Sequence, residues 1–384
     1  MIEHRRQRQT CSRCILDTSD DPDIVFDERG VCNHCLTYDR VARERLSWGE
    51  QRTSRLESLL EEVKASGRNH DYDCVVGASG GVDSTYVAYL AKNFGLRALV
   101  VHCDNGWNSE LAVKNIENIV KRLEYDLFTY VINWEEFKDL QLSYLKASVV
   151  DIEALTDHAI VASLFQVAAR RRIKYILSGE NMVTEGVLPA HWVHNKNDLM
   201  NIKAIHRRFG RLPLKTFPTL GLARKLYYQK ARGIRYVPFL NYVDFVKEDA
   251  KKIIAEELGW RDYGGKHYES IFTRFYQSYI LPVKFGIDKR KSHLSTLVCS
   301  GQMTREEALE HIKEEPIDAD RLFADKEYIV KKFGLTADSF DALMSLPVKD
   351  HTEYASILNV YRRVRPFARF AIQFRRRKLG ALEN

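Results

Sequence analysis

The chain contains no apolar run near the ~18 residues that a membrane-spanning helix needs, and its first residues, MIEHRRQRQT, lack the apolar stretch of a secretory signal. Both absences point to a cytoplasmic protein with no membrane partner. No low-complexity tract or internal period is present, which excludes solenoid and collagen-like architectures. Cysteine is sparse after the start: beyond residue 35 only Cys74, Cys103 and Cys299 occur, too scattered for a secreted disulfide framework. Charge is nearly balanced, with 59 basic against 52 acidic residues. The surplus of +7 gathers in RRQR near the start and in Arg375, Arg376, Arg377 and Lys378 near the end. Such runs read as solvated tails, and so small a surplus gives no reason to expect a nucleic-acid partner. What is present is a 384-residue chain, 45% hydrophobic, long enough for two or three domains with a sizeable core.

The remaining four cysteines read Cys11-Ser-Arg-Cys14, then 17 residues, then Cys32-Asn-His-Cys35. A two-residue gap lets both thiolates of a pair turn onto one ion, so the spacing points to a structural Zn²⁺ site. Four protein ligands leave no position for water, which assigns that metal to folding rather than catalysis. Between the pairs, IVFDERGVC reads as a short hairpin with its turn at Gly30. This sets a knuckle over residues 1–40, followed by a charged linking helix within 41–70 that stops near Gly67.

From Asp71 apolar strands alternate with amphipathic helices: DCVVGAS, RALVVHCDN, DLFTYVIN and KYILSGE. The pattern predicts an α/β domain over 71–265 with a doubly wound parallel sheet, whose ligands bind at the carboxyl ends of the strands. Residues 266–384 read as a helical region, interrupted at Pro282 and FGIDKRKSH. Helices are expected at TREEALEHI, opened by a Thr304–Glu307 capping box, and at KEYIVKKFG and ADSFDALMSL. Thr156 or Asp157 is expected to cap the helix that follows. His158, His191, His194 and His206 are too loosely spaced for a metal site.

The segment Ser79-Gly80-Gly81-Val82-Asp83-Ser84 joins the first strand to a helix. Gly80 and Gly81 let the backbone approach a polyanion, the helix amides point at it, and Ser79 and Ser84 offer hydroxyl donors. Asp83 would oppose an anion unless a cation such as Mg²⁺ intervened. There is no Lys before the final Ser, so this is not a Walker loop. The six residues instead resemble the pyrophosphate-binding loop of the PP-loop ATP pyrophosphatases, also classed as adenine nucleotide alpha hydrolase-like. That resemblance implies ATP as co-substrate, cleaved to AMP and pyrophosphate. It also implies that backbone from Val101 to Cys103 reads adenine, with Asp104 and Asn105 facing the pocket. Gly179, Glu180 and Asn181, at the end of KYILSGEN, stand where a carboxylate and a carboxamide meet Mg²⁺, ribose or the acceptor, although a polar strand cap is an equally ordinary reading. Cys103 reads as a small buried side chain rather than a catalytic thiol.

The cysteine pairs, SGGVDS and the later string GGKHYESIFTRFYQSYILPVKFGIDKRKSHLSTLVCSGQMTREEAL together resemble the N-acetyl sugar amidotransferases of bacterial lipopolysaccharide and O-antigen biosynthesis. The resemblance implies conversion of an acetamido group on a nucleotide-activated sugar, such as a UDP-linked 2,3-diacetamido uronic acid, to an acetamidino group. On that reading Asp83, Glu180, Lys266 and His267 are candidate catalytic residues and Asn181 a candidate substrate contact, while Lys284, Lys289 and Arg290 are candidates for stabilising phosphoryl charge or for holding the sugar's phosphates or carboxylate. A solvated basic face is the bland alternative for the cations. No glutaminase signature is present, so the resemblance implies two partners, a glutaminase subunit and a cyclase-like ammonia-channel subunit. The competing reading is a tRNA sulfur transferase of the same superfamily, and Cys103 is the residue that separates the two.

Overall fold

The computed structural model describes residues 8–46 and 48–363; the Arg375–Lys378 run lies outside them. The first elements belong to the knuckle. Gly30, at φ +77°, closes a turn in which Asp27 N–H donates to Val31 O and Gly30 N–H to Asp27 O, each at 2.9 Å, and Phe26 pairs antiparallel with Cys32. The expected hairpin is therefore present. The linking helix is two helices: α1, Asn33–Arg45, begins inside the second cysteine pair, and α2, Gly49–Gly67, restarts after a break that Gly49 negotiates at φ +54°.

The sheet domain follows, each strand separated from the next by at least one helix. It runs through β1 (Cys74–Gly77), α3 (Val82–Asn93), β2 (Ala98–Asp104), α4 (Glu110–Leu123), β3 (Asp126–Val131), α5 (Trp134–Ala147), α6 (Ala154–Arg171) and β4 (Tyr175–Ser178). Short helices α7 (Met182–Glu185), α8 (Leu199–Phe209) and α9 (Leu222–Leu226) lead to β5 (Arg235–Pro238) and α10 (Lys247–Leu258). All strand pairs are parallel, in the order β3-β2-β1-β4-β5. Alternate residues feed opposite faces: Cys74, Val76, Val100 and Leu177 join the core under α3 and α10, whereas Val75, Val101 and Ile176 pack with Ala162 and Phe165 of α6. Burial of both faces is why these strands read as continuous apolar runs.

The C-terminal region comprises α11 (Ile271–Phe275), α12 (Lys289–Cys299), α13 (Arg305–His311), α14 (Ala319–Phe333) and α15 (Ala337–Met344). Pro282 does not break the chain there. It sits within a π-helical stretch, Tyr276–Phe285, that continues α11. The expected Thr304–Glu307 capping box forms in full. FGIDKRKSH interrupts the helices at residues 286–288, as expected, and its remainder opens α12, capped by Asp288. The four cysteines, Trp107, Phe272, Phe333 and Phe340 belong to one core, so the knuckle and the C-terminal helices pack as one body against the sheet domain. Among the described residues no helix is long and apolar enough to cross a membrane.

Candidate functional site

β1 delivers the chain to the loop 78–81, and the loop is fixed from three sides. Ala78 N–H donates to Val101 O at 2.9 Å, locking it to β2. Gly80, at φ +85°, offers its carbonyl to Trp260 Nε1 at 2.8 Å and to Tyr263 OH at 2.7 Å. Ser79 and Ser84 close the turn on itself: Ser79 N–H donates to Ser84 Oγ at 3.2 Å, and Gly81 N–H donates to Ser79 Oγ at 3.2 Å. The turn feeds α3, whose N-terminus no side chain caps. An uncapped helix start behind a glycine turn favours an anion. Gly179 lies against it: a Cβ there would stand 2.9 Å from the Asp83 carbonyl carbon and the Ser84 nitrogen, so only glycine permits β4 to approach α3 this closely.

Asp83 sits in the first turn of α3 with Oδ1 shielded from solvent and without a hydrogen-bond partner. Burial pushes its carboxyl up to about 6, against the pull of Lys266, Lys247 and His267 and with a push from Glu185. Lys266 Nζ donates to Thr184 O at 3.1 Å and pairs with Glu185 Oε1 at 3.2 Å. His267, at φ +63°, holds Nδ1 3.7 Å from Glu269 Oε1, and the Glu269 carboxylate lies over Gly81. Segment 263–269 thus roofs the loop and brings three of the residues implicated from sequence, Asp83, Lys266 and His267, into one electrostatic cluster. A cluster with a free carboxylate oxygen fits a phosphate-bound Mg²⁺, which Asp83 would hold.

The other implicated residues fall into different settings. Lys289, first in α12, pairs with Glu153 at 3.3 Å and lies in the field of the buried Asp151, whose carboxyl burial pushes up to about 6. Glu180 accepts from Tyr236 OH at 3.0 Å at the end of β4. Asn181 caps α7, its Oδ1 accepting from Thr184 N–H at 2.9 Å. Asp104 Oδ1 closes the turn after β2 on Gly106 N–H at 2.9 Å, and Val101 is buried within the strand. Burial pushes the Cys103 thiol up to about 12, which leaves it protonated. Two cations read as ligand contacts are engaged elsewhere. Lys284 donates all three protons to Leu343, Met344 and Leu346 carbonyls, each at 2.9 Å, which closes the end of α15. Arg290 binds Asp288 at 2.7 Å and Glu314 O at 2.6 Å. Thr156 and Asp157 are not caps, because α6 starts at Ala154 and carries both in its first turn; Asp157 pairs with Lys196 at 2.6 Å.

Several residues at the site were missed from sequence. His102 is buried, and Asn108 Nδ2 donates to its Nε2 at 3.0 Å, so its Nδ1–H donates to Ala78 O at 2.9 Å and steadies the loop from β2. Lys247 at the start of α10 and Glu185 at the end of α7 carry no sequence signal. His293 does: it stands four residues after Lys289 on one face of α12.

The four knuckle thiols form a separate centre. Their Sγ atoms lie within 4.8 Å of one another, with separations of 3.9 Å for Cys11–Cys35 and 3.7 Å for Cys14–Cys32 and Cys32–Cys35. A zinc–sulfur tetrahedron has an edge of about 3.8 Å, close to these three separations, so the four thiols could hold such a metal. Cys32 N–H donates to Cys11 Sγ at 3.2 Å, a bond that stabilises a thiolate. Among the described residues no other group of three or more His, Cys, Asp or Glu side chains is placed to hold a metal ion by itself. Cys299, the last residue of α12, places its sulfur 3.5 Å from Cys35 Sγ, and Arg305 donates to the Cys11 and Cys14 carbonyls at 3.1 and 3.2 Å.

One family model matches. Residues 269–365 fit the model described as LPS biosynthesis protein WbpG-like, C-terminal domain. The match starts where Ser109 N–H donates to Glu269 O at 2.8 Å and Ile271 N–H to Trp107 O at 2.9 Å, so the matched region is anchored beside the end of β2. No curated protein matches the chain. Similar solved structures include the NH3-dependent NAD synthetase of Campylobacter jejuni subsp. jejuni NCTC 11168, with 12% identity, 41% of this chain and 72% of that one covered, and a TM-score of 0.28. The NMN synthetase of Francisella tularensis aligns over 76% of this chain and 98% of its own at 13% identity and a TM-score of 0.30. A predicted subunit of tRNA methyltransferase from Methanocaldococcus jannaschii DSM aligns over 48% and 75% at 13% identity and 0.28.

Proposed function

We propose that this protein is the synthetase subunit of an ATP-dependent N-acetyl sugar amidotransferase in lipopolysaccharide O-antigen biosynthesis, acting on a nucleotide-linked sugar. The observation that carries the reading is the Ser79–Ser84 loop at the uncapped start of α3, with the unpartnered Asp83 beside it. The region matching an LPS biosynthesis domain begins at Glu269, whose carboxylate lies over Gly81, and it supports a sugar acceptor.

An amide carbonyl is a poor electrophile, since its nitrogen donates into it and oxide leaves badly. Adenylation removes both obstacles. The acetamido oxygen attacks the α-phosphorus of ATP, pyrophosphate leaves into the amides of Gly80, Gly81 and α3, and ammonia then displaces AMP to give the acetamidino product. Lys266 and Lys247 stabilise charge developing on the phosphates, and Mg²⁺ held near Asp83 would supply Lewis-acid neutralisation. Ammonia would come from a glutaminase subunit through a cyclase-like channel subunit. The half-buried, protonated Cys103 disfavours sulfur transfer.

The test is mass spectrometry of UDP-linked 2,3-diacetamido uronic acid incubated with the protein, Mg²⁺-ATP and ammonium, with AMP followed in the same sample. Exchange of one sugar oxygen for NH, with one AMP per product and unaltered by Cys103→Ala, is expected. AMP formed only with tRNA and a sulfur donor would replace the reading with RNA thiolation.

A further inference from the structure

His293 is the most anomalous polar side chain in the structure. Both of its ring nitrogens are shut off from solvent, and neither has a hydrogen-bond partner. A buried imidazole normally fixes its tautomer with at least one bond, as His102 and His158 do here. The ring of His293 is instead 5.6 Å, centroid to centroid, from that of His267 in the roof of the nucleotide loop. The charges around it come from three elements: Lys266 and His267 from the roof, Lys289 one turn back on α12, and Lys247 from α10. Asp83 of α3 and Glu185 of α7 interact electrostatically with Lys266 and His267. Burial, reinforced by Lys266, Lys289 and Lys247, holds the ring far below its ordinary pKa and therefore neutral.

A neutral ring with a free acceptor, inside a cation-lined site, is suited to one task. The cations repel ammonium while admitting neutral ammonia and anionic phosphate. Arrival of nucleotide phosphates offsets the same cations and makes proton uptake by the ring easier.

We propose that His293 is a catalytic base that takes the proton shed by the attacking nitrogen when ammonia displaces AMP. The inference rests on the amidotransferase reading above. In the step, a nitrogen–carbon bond forms and the carbon–oxygen bond to AMP breaks, its electron pair leaving on the phosphate oxygen. The proton from the new ammonium nitrogen passes to the ring, which returns it to the strongly basic amidine once AMP has gone.

The experiment compares wild type with His293→Gln and His293→Ala, using UDP-linked 2,3-diacetamido uronic acid, Mg²⁺-ATP and ammonium. Adenylation is read by pyrophosphate–ATP exchange and amidation by mass spectrometry. The variants are expected to keep exchange, to lose amidation by roughly 10²–10⁴-fold, and to recover it with hydroxylamine, which sheds its proton without a strong base. Exchange lost in parallel, or amidation unchanged, overturns the proposal. An inactive wild type overturns the amidotransferase reading instead. Should the variants not fold, ¹⁵N-histidine NMR of wild type decides: the His293 ring is expected to titrate at higher pH when Mg²⁺-ATP is added, and an unmoved ring overturns the role.

Discussion

Around the four cysteines, the amides of Arg13, Cys14 and Cys32 donate to Cys11 Sγ, and no buried side-chain polar atom lacks a partner among the described residues. At the end of the sheet, three of the five such atoms without one belong to Asp83 and His293. The knuckle resembles a finished polar network, in which closure serves folding, whereas the sheet-edge site holds groups whose partners arrive from outside. Helix α12 joins the two: Lys289 and His293 lie at the site, and Cys299 touches the thiol cluster. A metal held by the four thiols would thereby fix the helix on which these residues stand.

The largest effect expected from this contrast follows metal removal. A structural zinc contributes on the order of 10 kcal/mol to folding of its own module, so stripping it with a strong chelator should unfold the knuckle and loosen α12. Hydrogen exchange is the measurement, with rapid exchange expected over residues 11–45 and 289–299 and protected amides in β1 and β2. Uniform protection after metal loss would show that the knuckle closes without an ion, and the contrast would fail at its first term.

A smaller effect is expected from Gly179→Ala. The added carbon meets backbone on α3, which cannot rotate away, so the loop and the helix start must shift together. Mg²⁺-ATP affinity by calorimetry should fall at least about tenfold, the equivalent of about 1.4 kcal/mol, while zinc content stays unchanged. Loss of both would mean that the two regions are one cooperative unit.

Much of this was legible in the sequence, and the failures have physical causes. Strands β1, β2 and β4 were readable because burial on both faces demands unbroken apolar runs, the largely exposed edge strand β3 because its branched and aromatic residues favour extended backbone, and the glycine–serine turn because close backbone approach leaves few residue choices. Strand β5 was not, since RYVP is four residues long, ends in proline and follows no helix of ordinary length. Lys284 and Arg290 resembled phosphate contacts, but nearby helix-end carbonyls and Asp288 satisfy them locally. His293 lay hidden in a basic run that reads as a solvated face; only the four-residue spacing from Lys289 marks it. Sequence reports local backbone demands well. It reports poorly which polar group will be left without a partner, because that depends on every element packed around it.

Asp83 allows the contrast to be tested by pH. Its carboxyl rises to about 6 from 3.8 on folding, so between those values the folded chain binds more protons than the unfolded one. Stability of the nucleotide-free protein should therefore fall as pH rises through that window and be regained on acidification. Asp151, also raised to about 6, contributes in the same sense. Asp83→Asn removes one of the two penalties: at pH 7 the variant should be more stable than wild type, by up to about 3 kcal/mol, with a shallower loss of Tm between pH 5 and 7. The same variant should bind Mg²⁺-ATP more weakly, because the oxygen that has no partner in the free protein is the one a phosphate-bound cation would use. Greater stability with weaker binding is the signature of a group kept for a ligand. A substitution that destabilised the chain at pH 7 would instead place Asp83 with the knuckle, as a residue that serves folding alone.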